Sequence, residues 1–227
     1  MPTQLKEMVL SQSVEDYLKT IYKLETEEKG ASTTKIADSM DVSSASATNM
    51  VKRLSKMGLV DYQSYKGASL TPAGKKIALE IIRHHRLLEL YLLEVMGYSW
   101  DEVHDEAEKL EHHISEQFED KIAELLDNPT HDPHGDPIPT KDGIMPQMEI
   151  EPLVEAKTGQ HYLVSRVKNQ DPELLRYLEK IGLLPGAKLT VKEKGPFNGP
   201  ITLNIEENEQ VLGHEVAEHI LIAELPE

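Results

Sequence analysis

The sequence contains no cysteine. That absence excludes a disulfide framework and any metal site built on thiolates. Aromatic residues make up only 5% of the 227 positions, so the cores must be closed mainly by aliphatic side chains. No apolar run near the start is long enough for a signal peptide, and none elsewhere could span a membrane. The expectation is a soluble cytoplasmic protein with no membrane partner. There is no internal repeat and no low-complexity tract. Acid is what the chain has in excess, with 40 Asp and Glu against 24 Lys and Arg and a net charge of −16. Spread evenly, such a charge would argue against a nucleic-acid partner.

The charge is not spread evenly. From Lys35 to Arg86 there are nine basic residues against four acidic ones, whereas from Leu87 to Ala156 there are 19 acidic residues against three basic ones. Such asymmetry points to different partners for different regions. The length suits two or three domains, and the apolar fraction of 39% is enough for packed cores. The expected fold class is mainly α with a β domain. Residues 1–72 are expected to form a winged helix-turn-helix, 73–146 a helical domain, and 147–227 a small β-barrel.

The pattern supports those divisions. Val14, Tyr17, Leu18, Ile21, Tyr22 and Leu24 follow a helical period, with Ser13 as the expected cap. Thr33 or Thr34 is expected to cap a short helix. The turn Asp41-Val42-Ser43 follows, and Ser43 caps a longer helix that stops at Gly58. Short helix, tight turn and longer helix make a helix-turn-helix. Residues 59–71 read as a β-hairpin wing, and Thr71-Pro72 caps a long helix to about Met96. A second long helix is expected from Trp100 to about Asp127. The Pro- and Gly-rich stretch 128–146 reads as a loop or linker. Strands are expected at 161–167, 187–195, 200–206 and 219–225, with a short helix between the first two.

The longer helix of the helix-turn-helix opens with small hydroxylated residues. Ser43 and Ser44 begin it, and Ser46, Thr48 and Asn49 can hydrogen-bond base edges in a major groove. Lys52 and Arg53 follow at the right distance for phosphates. Thr34 and Lys35 on the preceding helix, and Tyr65 and Lys66 on the wing, complete the expected contacts to double-stranded operator DNA. Met50, Val51, Leu54 and Met57 are expected to face the core. No Arg or Gln stands in the first turns to read bases in a bidentate manner, so DNA shape and dimer spacing carry weight.

The acidic region holds the other signal. His85 and Glu89 are four apart, as are His104 and Glu108, and Glu111 and His112 follow. On helices these intervals put imidazoles and carboxylates on one face. Two such faces across a helical hairpin would form a cage for a hard or borderline divalent metal.

A winged helix followed by a His/Glu hairpin resembles the diphtheria-toxin-repressor family of metal-dependent regulators, most closely its manganese-responsive branch. The likeness is carried by VEDYLKTIYKLE at 14–25, IADSMDVSSASATNMVKRL at 36–54, RHHRLLE at 83–89, EVHDEAEKLEHHIS at 102–115 and HDPHGDPIP at 131–139. In the tail, LEKIGLLPGAKLTV resembles the SH3-like (FeoA-type) domain of the longer members. The resemblance implies a homodimeric repressor that binds operator DNA when loaded with Mn(II), two ions per subunit. Its primary metal site would use Asp16, Glu108, Glu111 and His112. An ancillary site would use His85, Glu89 and His104, with Glu108 shared and a further ligand from His134 or Asp171. Iron-responsive members carry sulfur ligands where this chain has Asp16 and Glu108, which favours manganese, with Fe(II) the alternative. Small manganese regulators place a Glu one turn after this Asp. Here that position is Lys19, so two separate sites are expected rather than a closely coupled pair.

Two rivals remain at this level. A Glu/His hairpin could hold a di-metal enzyme centre, but no duplicated Glu-x-x-His pair appears on two helices. A winged-helix regulator of a small organic ligand would leave the His/Glu face as plain acidic surface.

Overall fold

Val14, Leu18 and Ile21 recur at helical spacing and are buried along one face of the first helix, α1 (Gln12–Glu27). The computed structural model describes residues 10–27, 30–206 and 208–225. The α1 helix starts one residue before Ser13. The Ser11 carbonyl accepts the Val14 and Glu15 amides, so Ser13 lies inside the first turn and does not cap it. The chain divides into two units, one running up to His84 and including Pro139–Ile144, the other comprising His85–Ile138 and the chain from Met145 onward.

In the first unit, α2 (Thr33–Ser39) leads to α3 (Ser44–Lys56). The cap of α2 is Ser32, whose side chain accepts the Lys35 amide, and not Thr33 or Thr34. Ser43 caps α3 as expected, accepting the Ser46 amide. The buried stripe of α3 is Ala47, Val51 and Leu54, the i, i+4, i+7 pattern of a helix packed on one side. Met50 and Met57, expected in the core, sit half-buried at its margins. The wing is an antiparallel pair, β1 (Val60–Gln63) and β2 (Gly67–Leu70), in register from Val60↔Leu70 to Gln63↔Gly67. Its second strand is tied to the helices. Glu25 on α1 accepts the Leu70 amide, and Ala68 bridges to Ala31. Gly67 allows that approach, because a Cβ there would lie 2.6 Å from the Ala31 carbonyl oxygen.

The long helix α4 (Pro72–Glu94) begins with proline at its first position, and Thr71 Oγ1 accepts the Gly74 amide. Its second half belongs to the other unit. There Leu87 and Leu88 pack with Val103 and Ala107 of α5 (Val103–Leu110) and Ile122 of α6 (Glu116–Leu125). The sequence pattern suggested one helix from Trp100 to about Asp127; the chain makes two. Ser115 is extended and accepts the Phe118 amide, so it opens a new helix instead of continuing the old one. The break leaves Glu111 and His112 on a turn at the end of α5.

The rest of this unit is a β domain. A six-stranded antiparallel sheet runs in the order β3 (Glu151–Pro152), β8 (Ile220–Glu224), β4 (His161–Val167), β5 (Lys188–Lys194), β6 (Ile201–Ile205), β7 (Asn208–Leu212). The edge strands β3 and β7 do not pair with each other, so the small barrel is left open. Helix α7 (Pro172–Lys180) buries Leu175 and Leu178 in the β core, and a short α8 (His214–Ala217) leads into β8. That core also takes in Trp100, from the turn before α5. No helix among the described residues is long and apolar enough to cross a membrane.

One glycine tests the packing of the first unit. A Cβ on Gly74 would stand 2.0 Å from the Leu59 carbonyl oxygen, a backbone atom with little room to yield. Gly74→Ala is expected to destabilise the protein by about 1–3 kcal/mol. Urea unfolding monitored by circular dichroism measures this, and an unchanged midpoint would contradict the packing described.

Candidate metal centre

Glu89 sits one helical turn after His85 on α4, and its carboxylate is fully buried. Burial alone would raise this carboxyl group. The charge of His85 and hydrogen bonds from His104 and His85 outweigh it and hold Glu89 well below the usual carboxylate range. Glu89 Oε1 lies 3.0 Å from His85 Nε2 and 3.1 Å from His104 Nδ1. The ring nitrogens of His85 and His104 are themselves 3.1 Å apart. On the other edge of His85, Nδ1 is 2.6 Å from Glu111 Oε2. Glu111 is also fully buried, and its Oε1 is 3.3 Å from His112 Nε2. Glu108 Oε1 stands 3.9 Å from both His85 Nδ1 and His104 Nε2, at the more exposed mouth of the cluster.

A third strand of chain reaches the same carboxylate. The segment read from sequence as a linker is an ordered loop with Asp132, His134 and Asp136 buried. Asp132 Oδ1 accepts the amides of His134 and Asp136, which fixes its side chain. His134 stacks on Trp100 with ring centroids 5.4 Å apart, and its Nε2 lies 3.2 Å from the Trp100 carbonyl oxygen. These contacts direct the other ring nitrogen, Nδ1, to within 3.8 Å of Glu89 Oε1. Burial pushes the His134 imidazole down, towards its neutral form, and outweighs the nearby charge of Glu89. Burial pushes Asp132 well up, and the neighbouring charges of Glu89 and Asp136 add to it.

Two groups of metal-ligating atoms therefore lie in this unit, each with all its atoms within 4.8 Å of one another: His85, His104 and Glu108, and Glu89, Asp132 and His134. Ligand atoms roughly 2.0–2.4 Å from one cation are separated by no more than about 4.8 Å. The second group offers a sharper test. Glu89 Oε2, Asp132 Oδ2 and His134 Nδ1 are buried without a hydrogen-bond partner. An unsatisfied buried polar atom costs about 1–3 kcal/mol. A divalent cation would satisfy all three at once, and two carboxylates with a neutral imidazole suit a hard or borderline ion.

Asp132 is not among the ligands expected from the sequence. Its signal is the Asp-x-His spacing inside a segment whose Pro and Gly residues advertise a turn. Asp171 has another occupation. It is exposed and caps α7, accepting the Glu173 and Leu174 amides, and it is in none of the ligand groups found among the described residues. Asp16 lies half-buried on α1 in the first unit.

The expected DNA-contacting residues lie on α3 and its cap, the first turn of α2 and the wing. Thr34, Ser43, Ser44, Ser46, Asn49, Lys52, Arg53, Tyr65 and Lys66 are exposed, while Lys35 and Thr48 are half-buried. Two hydroxyls already serve the helix. Ser43 Oγ caps it and lies 2.9 Å from Ser46 Oγ, and Thr48 Oγ1 donates to the Ser44 carbonyl.

A helix-turn-helix with a wing, a His/carboxylate metal centre and a small β domain together define a metal-dependent DNA-binding regulator. Comparison with known proteins bears this out. Residues 9–68 match the model of the iron-dependent repressor N-terminal DNA-binding domain. Residues 71–140 match the iron-dependent repressor metal-binding and dimerisation domain, and 151–224 the FeoA domain. The iron-dependent repressor IdeR of Mycobacterium tuberculosis is 34% identical, with 94% of this chain and 97% of that protein covered. The regulator MntR of Oceanobacillus iheyensis is 41% identical over 50% of this chain and 77% of its own length. A solved structure described as a manganese-dependent transcriptional repressor in complex with manganese has a TM-score of 0.83 at 36% identity, covering 93% of this chain and all of that one. The chain belongs to the iron-dependent, or diphtheria-toxin, repressor family. It is a metal-dependent transcriptional repressor and not an enzyme.

The raised Asp132 carboxyl has a consequence for binding. In the metal-free protein it keeps its proton at pH values where a free aspartate is ionised. A cation ligated by that carboxylate must displace the proton, so affinity rises with pH until the Asp132 pKa is passed and falls on the acid side. Calorimetric titration with Mn(II) in buffers of different ionisation enthalpy is expected to show proton release that Asp132→Asn reduces. Equal release by both proteins would contradict the assignment.

Proposed function

We propose that this protein is a Mn(II)-activated repressor that binds double-stranded operator DNA as a homodimer, with two ions per subunit. The observation that carries the reading is the buried Glu89–Asp132–His134 group beside His85 and His104, built from oxygen and nitrogen donors without sulfur. Mn(II) binds most weakly of the divalent metals from manganese to zinc, so a site selects it by hard ligands and not by raw affinity. The likeness to a manganese-dependent repressor supports the same choice. Fe(II) is the second reading, supported by 34% identity to iron-dependent IdeR over nearly the whole chain.

One ion would be held by Glu89, Asp132 and His134, with His85 and His104 as neighbours. Asp16, Glu108, Glu111 and His112 would hold the other; this set rests on the family resemblance, and the buried Glu111 carboxylate beside His112 agrees with it. A bound divalent cation supplies the positive charge that lets these carboxylates remain ionised side by side. The chain supplies the rest. Like charges on Asp16, Glu108 and Glu111 disfavour the arrangement competent for DNA in the metal-free protein. That arrangement has the higher cation affinity, so its population rises with metal. The exposed start of α3 then reads bases while Lys52 and Arg53 hold phosphates. Dimerisation sets the two recognition helices at the spacing of successive major grooves, and the match of residues 71–140 to a dimerisation domain supports this.

Gel shifts on the protein's own promoter region, with and without Mn(II), test the proposal. Asp16→Ala and Glu108→Ala are each expected to abolish metal-dependent binding while the circular dichroism spectrum is retained; an undiminished Mn(II)-dependent shift in either would refute the ligand set. Lys52→Ala is expected to weaken binding to all sequences alike and to lower the salt slope by about 1. A loss confined to one sequence would instead mark Lys52 as a base reader.

A further inference from the structure

The loop that presents Asp132 and His134 is fastened on its far side to β4. The Val167 amide donates to the His134 carbonyl at 2.8 Å. Arg166 Nη2 pairs with Asp136 Oδ1 at 2.7 Å, and Arg86 Nη2 reaches the same oxygen at 3.0 Å. Arg86 also donates to the Pro137 carbonyl. Asp136 is thus clamped between a guanidinium from α4 and one from the β domain. Its own amide donates to Asp132 Oδ1 at 2.9 Å. A continuous run of contacts leads from Arg166 through Asp136 to a carboxylate of the metal-ligating group.

The strand is shaped to meet the loop. The β4–β8 register shifts between Val164 and Arg166, a bulge that takes Ser165 out of the ladder. Gly135 stands against that bulge with φ +85°, and a Cβ there would lie 1.9 Å from the Ser165 carbonyl oxygen. Only glycine meets both demands without a shift of backbone. The sheet therefore offers a fitted seat for the face of the loop turned away from Glu89.

We propose that Arg166 is a positioning residue for metal: through Asp136 it holds Asp132 and His134 at Glu89, so that the β domain sets the cation affinity of this group. The inference rests on the metal-binding reading above and extends it to a residue outside the ligand groups. Two guanidiniums on one carboxylate make strong, oriented contacts. With Arg166 removed, Asp136 is held from the helix side alone, and the loop loses its ion pair to the sheet. Neighbours that orient metal ligands typically contribute about 10–100-fold to affinity. By reciprocity, cation binding strengthens the seating of the loop on β4.

The test is a Mn(II) titration of the full-length, metal-stripped protein, with free ion followed by electron paramagnetic resonance. Wild type is compared with Asp132→Asn, Arg166→Gln, Arg166→Lys and Asp136→Asn, each first shown to be folded by circular dichroism. Asp132→Asn is expected to remove one binding phase. Arg166→Gln weakens that same phase about tenfold and leaves the other unchanged. Arg166→Lys recovers part of the loss, and Asp136→Asn reproduces the effect of Arg166→Gln should the latter fail to fold. Hydrogen exchange at the Val167 amide slows on Mn(II) binding in wild type, and less in Arg166→Gln. If Asp132→Asn loses a phase while folded Arg166→Gln keeps both at wild-type affinity, the positioning role is wrong and the metal reading survives. If Asp132→Asn also keeps both phases, the metal group itself was misassigned and the positioning role falls with it.

Discussion

A carboxylate taken wholly out of water must be paid for, and Glu89 is where the structure does so. Its side chain has no exposure to solvent, yet it is held ionised by the imidazoles around it. Removing one partner from a buried charge typically costs several kcal/mol, on the order of 3–5. Most of the helical region follows from satisfying this one group. α4 must carry His85 one turn before it, α5 must bring His104 alongside, and the loop must deliver His134 from the other direction. The arrangement leaves Glu89 Oε2, Asp132 Oδ2 and His134 Nδ1 buried without hydrogen-bond partners, and on the proposed reading a cation takes them up.

The loop between the helical region and the β domain is the second element of that design. Its proline and glycine content suggests a tether. In the structure it acts as a molded insert, with one face on Glu89 and the other on the bulge of β4. Asp132 organises it by accepting two of its amides, so the residue that shapes the loop also offers a ligand. Trp100 serves both sides, stacking on His134 while packing within the β core. The β domain is thereby joined to the candidate metal centre through packing and backbone hydrogen bonds, and contributes none of the six residues in the two groups of this unit.

Much of this was legible in the sequence, for reasons that can be named. Helical spacing exposed the His85/Glu89 and His104/Glu108 pairs, and the serine at position 43 marked the start of the recognition helix. The DNA-binding unit could be read because its signals are local: caps, a tight turn, and glycines at 58 and 67. The expectations that failed needed information from further away. Ser115 looks like any polar residue on a helix until its extended backbone opens α6 and puts Glu111 and His112 on a turn. Asp171, offered beside His134 as a further ligand, has a cap's role that shows only in its acceptance of two amides. Asp132 was hidden because burial, and not spacing, gives it significance. Strand β7 escaped because its alternation of polar residues, at an exposed edge, carries little apolar signal.

The division of charge along the chain agrees with this account. The basic stretch contains the helix-turn-helix, and the acidic stretch the candidate metal centre. A protein with net charge −16 approaches DNA only by its basic face, and neutralising its acidic part makes that approach easier. The most direct measurement of the central claim is the Mn(II) binding stoichiometry of Glu89→Gln against wild type, taken by equilibrium dialysis on folded, metal-stripped protein. The account predicts that the variant, which keeps the shape of the side chain but lacks its charge, binds fewer ions per subunit. Equal stoichiometry and affinity in the two proteins would contradict it.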